Sequence, residues 1–125
     1  MSIPTDRKYT AHDEWALLQD GVVTLGITEF AQDALGELVH IELPEVGDSI
    51  EAGDAACEVE SVKAVAEVFS PVGGEIVAVN EALDGEEETV NSDPYGAGWL
   101  VKIRLTDGDL DGCLDAAAYG EKINQ

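Results

Sequence analysis

The stretch VGDSIEAGDAACEVESVKAVAEVFSPVGGEIVAVN, residues 46–80, is cut by Gly47-Asp48, Gly53-Asp54, Pro71 and Gly73-Gly74 into short runs of alternating apolar and polar residues. Period-two alternation belongs to strands with one buried face, and such closely spaced turn residues leave no room for helices. A compact all-β barrel or sandwich is the architecture this spacing favours. Within the stretch the alternation changes phase. Cys57 and Val59 are apolar at odd positions with Glu58 and Glu60 opposite, whereas Val62, Ala64, Ala66 and Val68 are apolar at even positions and Glu67 is the polar odd one. A strand changes phase only through a turn or bulge. The change falls beside Lys63, where no Gly, Asn or Pro marks a turn, and propensity alone reads one long strand.

The flanks agree with an all-β chain carrying small helical additions. WALLQDGVVTLGIT sets two apolar runs around Asp20-Gly21, a dipeptide that favours a tight hairpin. TEFAQDALG has Phe30, Ala34 and Leu35 at helical spacing, Thr28 as N-cap and Gly36 as a stop. ELVHIELP alternates so that Val39, Ile41 and Leu43 form an apolar strand face and His40 lies on the more exposed one. NEALDGEEETVNSDPYGAGW is expected as a loop, WLVKIRL as a last strand, and LDGCLDAAAYGEKINQ as one or two short helices interrupted at Gly112 and Gly120.

A length of 125 residues fits one domain. Twenty-seven acidic residues against six basic ones give a formal charge of −21, which repels nucleic acid and anionic membrane surfaces. The same charge suits a salt-rich cytoplasm, where screening removes self-repulsion, and predicts that folding gains from molar salt. MSIPTDRKYTAHDEW has no apolar run for a signal or anchor, so a cytoplasmic location is expected. Cys57 and Cys113 lack any zinc or disulfide spacing, and neither a metal site nor a catalytic constellation is expected. Cys57 reads as buried packing. Cys57 with His12 or His40 is the one conceivable nucleophile–base set, and no spacing links them.

An exposed lysine ordinarily serves solubility, but lysine is scarce here: Lys8, Lys63, Lys102 and Lys122 are all there are. A turn tip would present Lys63 to other proteins. Five motifs in order then carry a resemblance over nearly the whole chain: HDEWA, LGITEFAQDALGELVHIELPEVGD, VESVKA, SPVGGEIVAVNEAL and NSDPYGAGWLVKI. Together they resemble the H proteins of the glycine cleavage system, relatives of the lipoyl and biotinyl carrier domains. The resemblance implies a single lipoyl-carrier domain over 1–125, a barrel-sandwich hybrid with short flanking helices and a C-terminal helical extension from about 107 to 125. It implies lipoate on Lys63 (N6-lipoyllysine), with Glu60, Ser61, Val62 and Ala64 as the recognition sequence. Biotin carriers of this fold typically flank the modified lysine with Met, so Val62 and Ala64 favour lipoate over biotin.

The implied protein is a carrier and not an enzyme. Its partners would be a pyridoxal-phosphate glycine decarboxylase (P protein), a tetrahydrofolate-dependent aminomethyltransferase (T protein), the flavoprotein dihydrolipoyl dehydrogenase (L protein) and a lipoate-attaching enzyme. The arm would carry the aminomethyl group of glycine from the first to the second and be reoxidised by the third. A tether turns each transfer into a local search. The resemblance also implies a cleft that shields the loaded arm from water, with a carboxylate facing its amine. HDEW makes Glu14 the candidate, with His12 behind it, although packing or surface exposure also accounts for His12. LDGEEETVN departs from the family pattern, in which a proline commonly precedes the hydrophobic-Asn pair, so a loop of different shape is expected there. Two other readings stay open at this point: an H-like carrier for lipoate assembly or sulfur metabolism, and an unmodified interaction domain.

Overall fold

Asp20 and Gly21 adopt positive φ angles of 53° and 78°, the paired left-handed conformation of a tight hairpin turn. In the computed structural model, which describes residues 3–123, this turn joins the second and third of nine strands. The strands are β1 (Lys8–Tyr9), β2 (Glu14–Gln19), β3 (Val22–Ile27), β4 (Leu38–Glu42), β5 (Ser49–Ile50), β6 (Ala55–Ser61), β7 (Val65–Phe69), β8 (Gly73–Val79) and β9 (Val101–Asp107). Three helices accompany them: α1 (Glu29–Leu35), α2 (Glu88–Ser92) and α3 (Ala116–Ile123).

All pairings are antiparallel. One sheet runs β1-β2-β3-β9-β8-β5 and the other β4-β6-β7. The last strand closes the larger sheet by entering between β3 and β8, so chain ends far apart in sequence meet in one layer. Val23 and Leu25 of β3, Ile76 of β8 and Val101 and Ile103 of β9 are fully buried against Val59 and Val68 of the smaller sheet. Alternation on both sheets thus produces one shared core. The expected phase change is real: Cys57 faces Val68 and Val59 faces Ala66 across the β6–β7 hairpin.

Three expectations need correction. Alternation puts Val39 on the apolar face of β4, yet it is 46% exposed while Leu38 is buried, because the β4–β6 register shifts between Leu38 and His40. One extra residue reverses which side chains point inward; His40 is exposed as expected. The acidic segment expected as a loop contains a 3-10 turn, Glu81–Leu83, and α2. Leu83 and Val90 are the buried residues that fold it, while the acids stay largely outward. Finally, the C-terminal extension is helical only over Ala116–Ile123, Gly120 lies inside that helix, and Leu114 pairs with Tyr9 instead. Residues 124 and 125 of the expected extension lie outside the described residues.

Candidate functional site

Lys63 stands at the tip of the β6–β7 hairpin, in a turn that contains no positive φ. The turn is built by Ser61. Its backbone N–H donates to the Ala64 carbonyl at 2.8 Å, and its hydroxyl oxygen accepts from the N–H of Lys63 at 3.2 Å and of Ala64 at 3.0 Å. A short side chain thereby satisfies donors that a glycine turn would leave to backbone or water. That is why composition carries no turn mark: the information sits in one serine. Ser61 is 5% exposed, whereas Val62 is 67% exposed and Glu60, Lys63 and Ala64 are open to solvent. An enzyme approaching the tip meets Glu60, Val62 and Ala64 directly and meets Ser61 only through the shape it imposes.

The lysine stem has a prepared neighbour. A Cβ placed on Gly36 would stand 3.5 Å from Lys63 Cε, and Gly36 has φ +84, so glycine is required there on backbone grounds as well. Gly36 ends α1 and donates its N–H to the Gln32 carbonyl. Asn91 of α2 ties this corner down. Its amide nitrogen donates to the Gly36 carbonyl at 2.8 Å and to Gln32 Oε1 at 3.0 Å, and its oxygen accepts from Leu38 N–H at 3.0 Å. The Val62 N–H also donates to the Glu37 carbonyl at 3.1 Å. Sequence reading assigns Asn91 no role, because its partners lie more than fifty residues away.

Next to this corner, on the Leu35 side of Gly36, a groove of ≈ 200 Å³ lies between α1 and β7. Ala31, Ala34 and Leu35 form one wall and Ala66 and Glu67 another, with His12 and Glu14 also on its lining. Glu14 is 1% exposed. Its Oε1 accepts from the Thr10 hydroxyl at 2.6 Å and its Oε2 from the Phe69 N–H at 2.7 Å. Burial pushes its carboxyl above the usual range, and these two hydrogen bonds pull it partly back. His12 is exposed, with its ring tilted over Phe69 at 5.2 Å between centroids. Both residues also border another, larger cavity of ≈ 550 Å³, lined as well by Phe69 and Cys113.

The two candidate residues from HDEW are therefore together in a groove whose α1 wall ends beside Lys63. Glu67, in the sequence merely the polar member of an alternation, lines the same groove. Cys57 is buried, and burial with the nearby Glu14 charge pushes its thiol up to about 12, so it offers no thiolate. Among the described residues no His, Cys, Asp and Glu cluster has a metal-holding arrangement, and no helix is long and apolar enough to cross a membrane.

Residues 7–125 match the family profile described as Glycine cleavage H-protein. The chain is 55% identical over 120 residues to the glycine cleavage system H protein of Beutenbergia cavernae, covering 95% of this chain and 94% of that one. It is 53% identical over 124 residues to the protein of the same name from Thermus thermophilus, covering 98% and 97%. The crystal structure of a glycine cleavage system H protein from Mycobacterium marinum superposes with a TM-score of 0.91 at 42% identity, over 98% of this chain and 100% of that one. The two-sheet architecture is accordingly the lipoyl-domain-like barrel-sandwich fold.

Proposed function

The chain belongs to the glycine cleavage H-protein family, and from that premise we propose that it is the lipoyl carrier of glycine cleavage, with Lys63 as its one modified residue. The observation that carries this reading is the exposed tip of the β6–β7 hairpin, where Ser61 fixes the turn and Lys63 extends over the bare backbone of Gly36. The surroundings fit a long, largely apolar arm: the bare backbone of Gly36 beside the stem, then alanines and a leucine along the groove.

Lipoate bound there as an amide supplies a dithiolane that takes up electrons and a one-carbon amine fragment from glycine. The protein's own residues present, recognise and shelter. Glu60, Val62 and Ala64 surround the lysine for the attaching enzyme, and acylation cancels the Lys63 charge. The apolar groove limits water access. Glu14 gives the groove lining a buried carboxyl, where an ammonium group would find an anion of opposite sign, and the exposed His12 lines the same groove. The bond-making steps fall to P, T and L protein partners visiting the exposed tip in the cytoplasm.

The test is intact mass of the Lys63 peptide from the native cell, followed by glycine–bicarbonate exchange with a glycine decarboxylase. A lipoyl-sized mass increase and exchange that disappears in Lys63→Arg are expected. Absence of the mass increase, or exchange surviving in Lys63→Arg, would sink the proposal. Lipoylation without exchange would transfer the protein to lipoate assembly or sulfur metabolism.

A further inference from the structure

Asp13, next to Glu14 in the groove lining, is held from the far end of the chain. Tyr119 of α3 is fully buried, its ring stacked on Tyr9 at 4.8 Å between centroids and 12° between planes. Its hydroxyl lies 3.0 Å from Asp13 Oδ1 and 2.7 Å from Thr28 Oγ1. The direction of each bond follows from what the groups can do. A carboxylate only accepts, so Tyr119 donates to Asp13. The phenol oxygen then accepts from the Thr28 hydroxyl, and Thr28 Oγ1 accepts from the Ala31 N–H at 3.1 Å as the N-cap of α1. Each donor is used once, from the first turn of α1 to a carboxylate.

The same two segments share a backbone bond: Thr28 donates its N–H to the Asp13 carbonyl at 3.0 Å. Asp13 has φ 66°, in the left-handed region that Asp enters more readily than most side chains. Lys122 of α3 adds an ammonium 3.8 Å from the same Oδ1. The bridge therefore joins the 12–14 segment to α1, and these are two of the walls of the groove beside Gly36. A phenylalanine would serve the stacking on Tyr9 equally well. Only the hydroxyl reaches Asp13.

We infer that Tyr119 is a positioning residue for the arm groove, which sets the spacing between the His12–Glu14 segment and α1 by bridging Asp13 to Thr28. It touches no substrate. The inference rests on Lys63 being the lipoylated residue, and it assigns the C-terminal helix a role in how long the carrier shelters its cargo.

Tyr119→Phe keeps the ring and removes the bridge. In the unmodified chain, amide hydrogen exchange at Thr28 and Ala31 should rise about tenfold while the β8–β9 amides stay as slow as in the parent, since removing the hydroxyl breaks both of its hydrogen bonds, and a tenfold change corresponds to roughly 1.4 kcal/mol locally. In the lipoylated chain charged from labelled glycine, label should be lost severalfold faster, with unchanged rates of lipoylation and of reoxidation by dihydrolipoyl dehydrogenase. If Tyr119→Phe lacks native near-UV dichroism, Asp13→Asn and Asp13→Gly make the same comparison without touching the Thr28 cap, with the acceptor for Tyr119 kept in one and removed in the other at a φ that glycine tolerates, and only Asp13→Gly should lose label quickly. Parent-like label retention in the folded variant that lacks the bridge overturns the inference. Failure of the parent itself to accept lipoate or label would instead overturn the carrier reading.

Discussion

The molecule contains two hairpins whose turns solve one geometric problem by opposite means. Between β2 and β3, Asp20 and Gly21 take left-handed backbone angles and the turn is exposed and chemically silent. Between β6 and β7, Val62, Lys63 and Ala64 turn without any positive φ, because the Ser61 side chain bonds the amides that point inward. A turn made from glycine tolerates anything beside it but presents nothing. A turn that must display a lysine stem in one direction has an L-residue at its tip and draws its hydrogen bonds from a neighbour. The glycine turn is written in two letters of sequence; the serine turn has the residue pattern of uninterrupted strand.

The largest effect should come from moving the lysine within its own turn. The double variant Val62→Lys with Lys63→Val keeps charge and composition but aims the amine differently, and lipoylation in vitro should fall about 100-fold, the scale on which small misplacements act in enzyme sites. Parent-like modification followed by mass spectrometry would show that the tip is read loosely and would erase the contrast between the hairpins. Ser61→Ala should cost about 1–3 kcal/mol in urea unfolding, because two turn amides lose their acceptor, and should slow lipoylation as well. Gly21→Ala should cost roughly 1 kcal/mol, from a left-handed angle forced on a residue with a Cβ, and leave lipoylation untouched. A matching loss of modification in Gly21→Ala would mean that the two turns are coupled through the core.

The same contrast explains what sequence reading can recover. Elements whose cause is local are legible: the Asp20-Gly21 hairpin, α1 with Thr28 accepting from Ala31 N–H, and the phase change that reports the β6–β7 pairing. Elements whose cause is distant are not. The β4 bulge inverts Leu38 and Val39 because of how β6 pairs with it. The α2 turn forms where Val90 reaches the core and Asn91 reaches Gly36 and Leu38. At the site, Lys63 and Glu14 stand out through motifs in order, whereas Glu67 and Tyr119 carry no motif and Asn91 opens one that does not show its role: what places them is a neighbour brought close only by folding. Tyr119 and Asp13 are 106 residues apart.

The base of the β6–β7 hairpin offers the finest distinction. The β2–β3 hairpin opens into plain backbone pairing, but at Phe69, the end of β7, the N–H donates into the buried carboxylate of Glu14. Burial raises the Glu14 value above that of the unfolded chain despite the Thr10 and Phe69 hydrogen bonds. Between the unfolded and folded values the native state therefore binds more protons, so stability falls as pH rises through that window and is level above it. This is the reverse of the usual carboxylate that is stabilised by a partner. Glu14→Gln keeps an acceptor for Phe69 N–H and can donate to the Thr10 oxygen, while removing the titration. Urea unfolding of parent and variant across the acid range should show the variant gaining relative stability as pH increases, with no further change once the parent carboxyl is ionised. A shift in the opposite direction would mean that the hydrogen bonds outweigh burial, and that the carboxylate at the hairpin's base is held as an ordinary stabilising acceptor instead of a costly charge kept for an incoming cation.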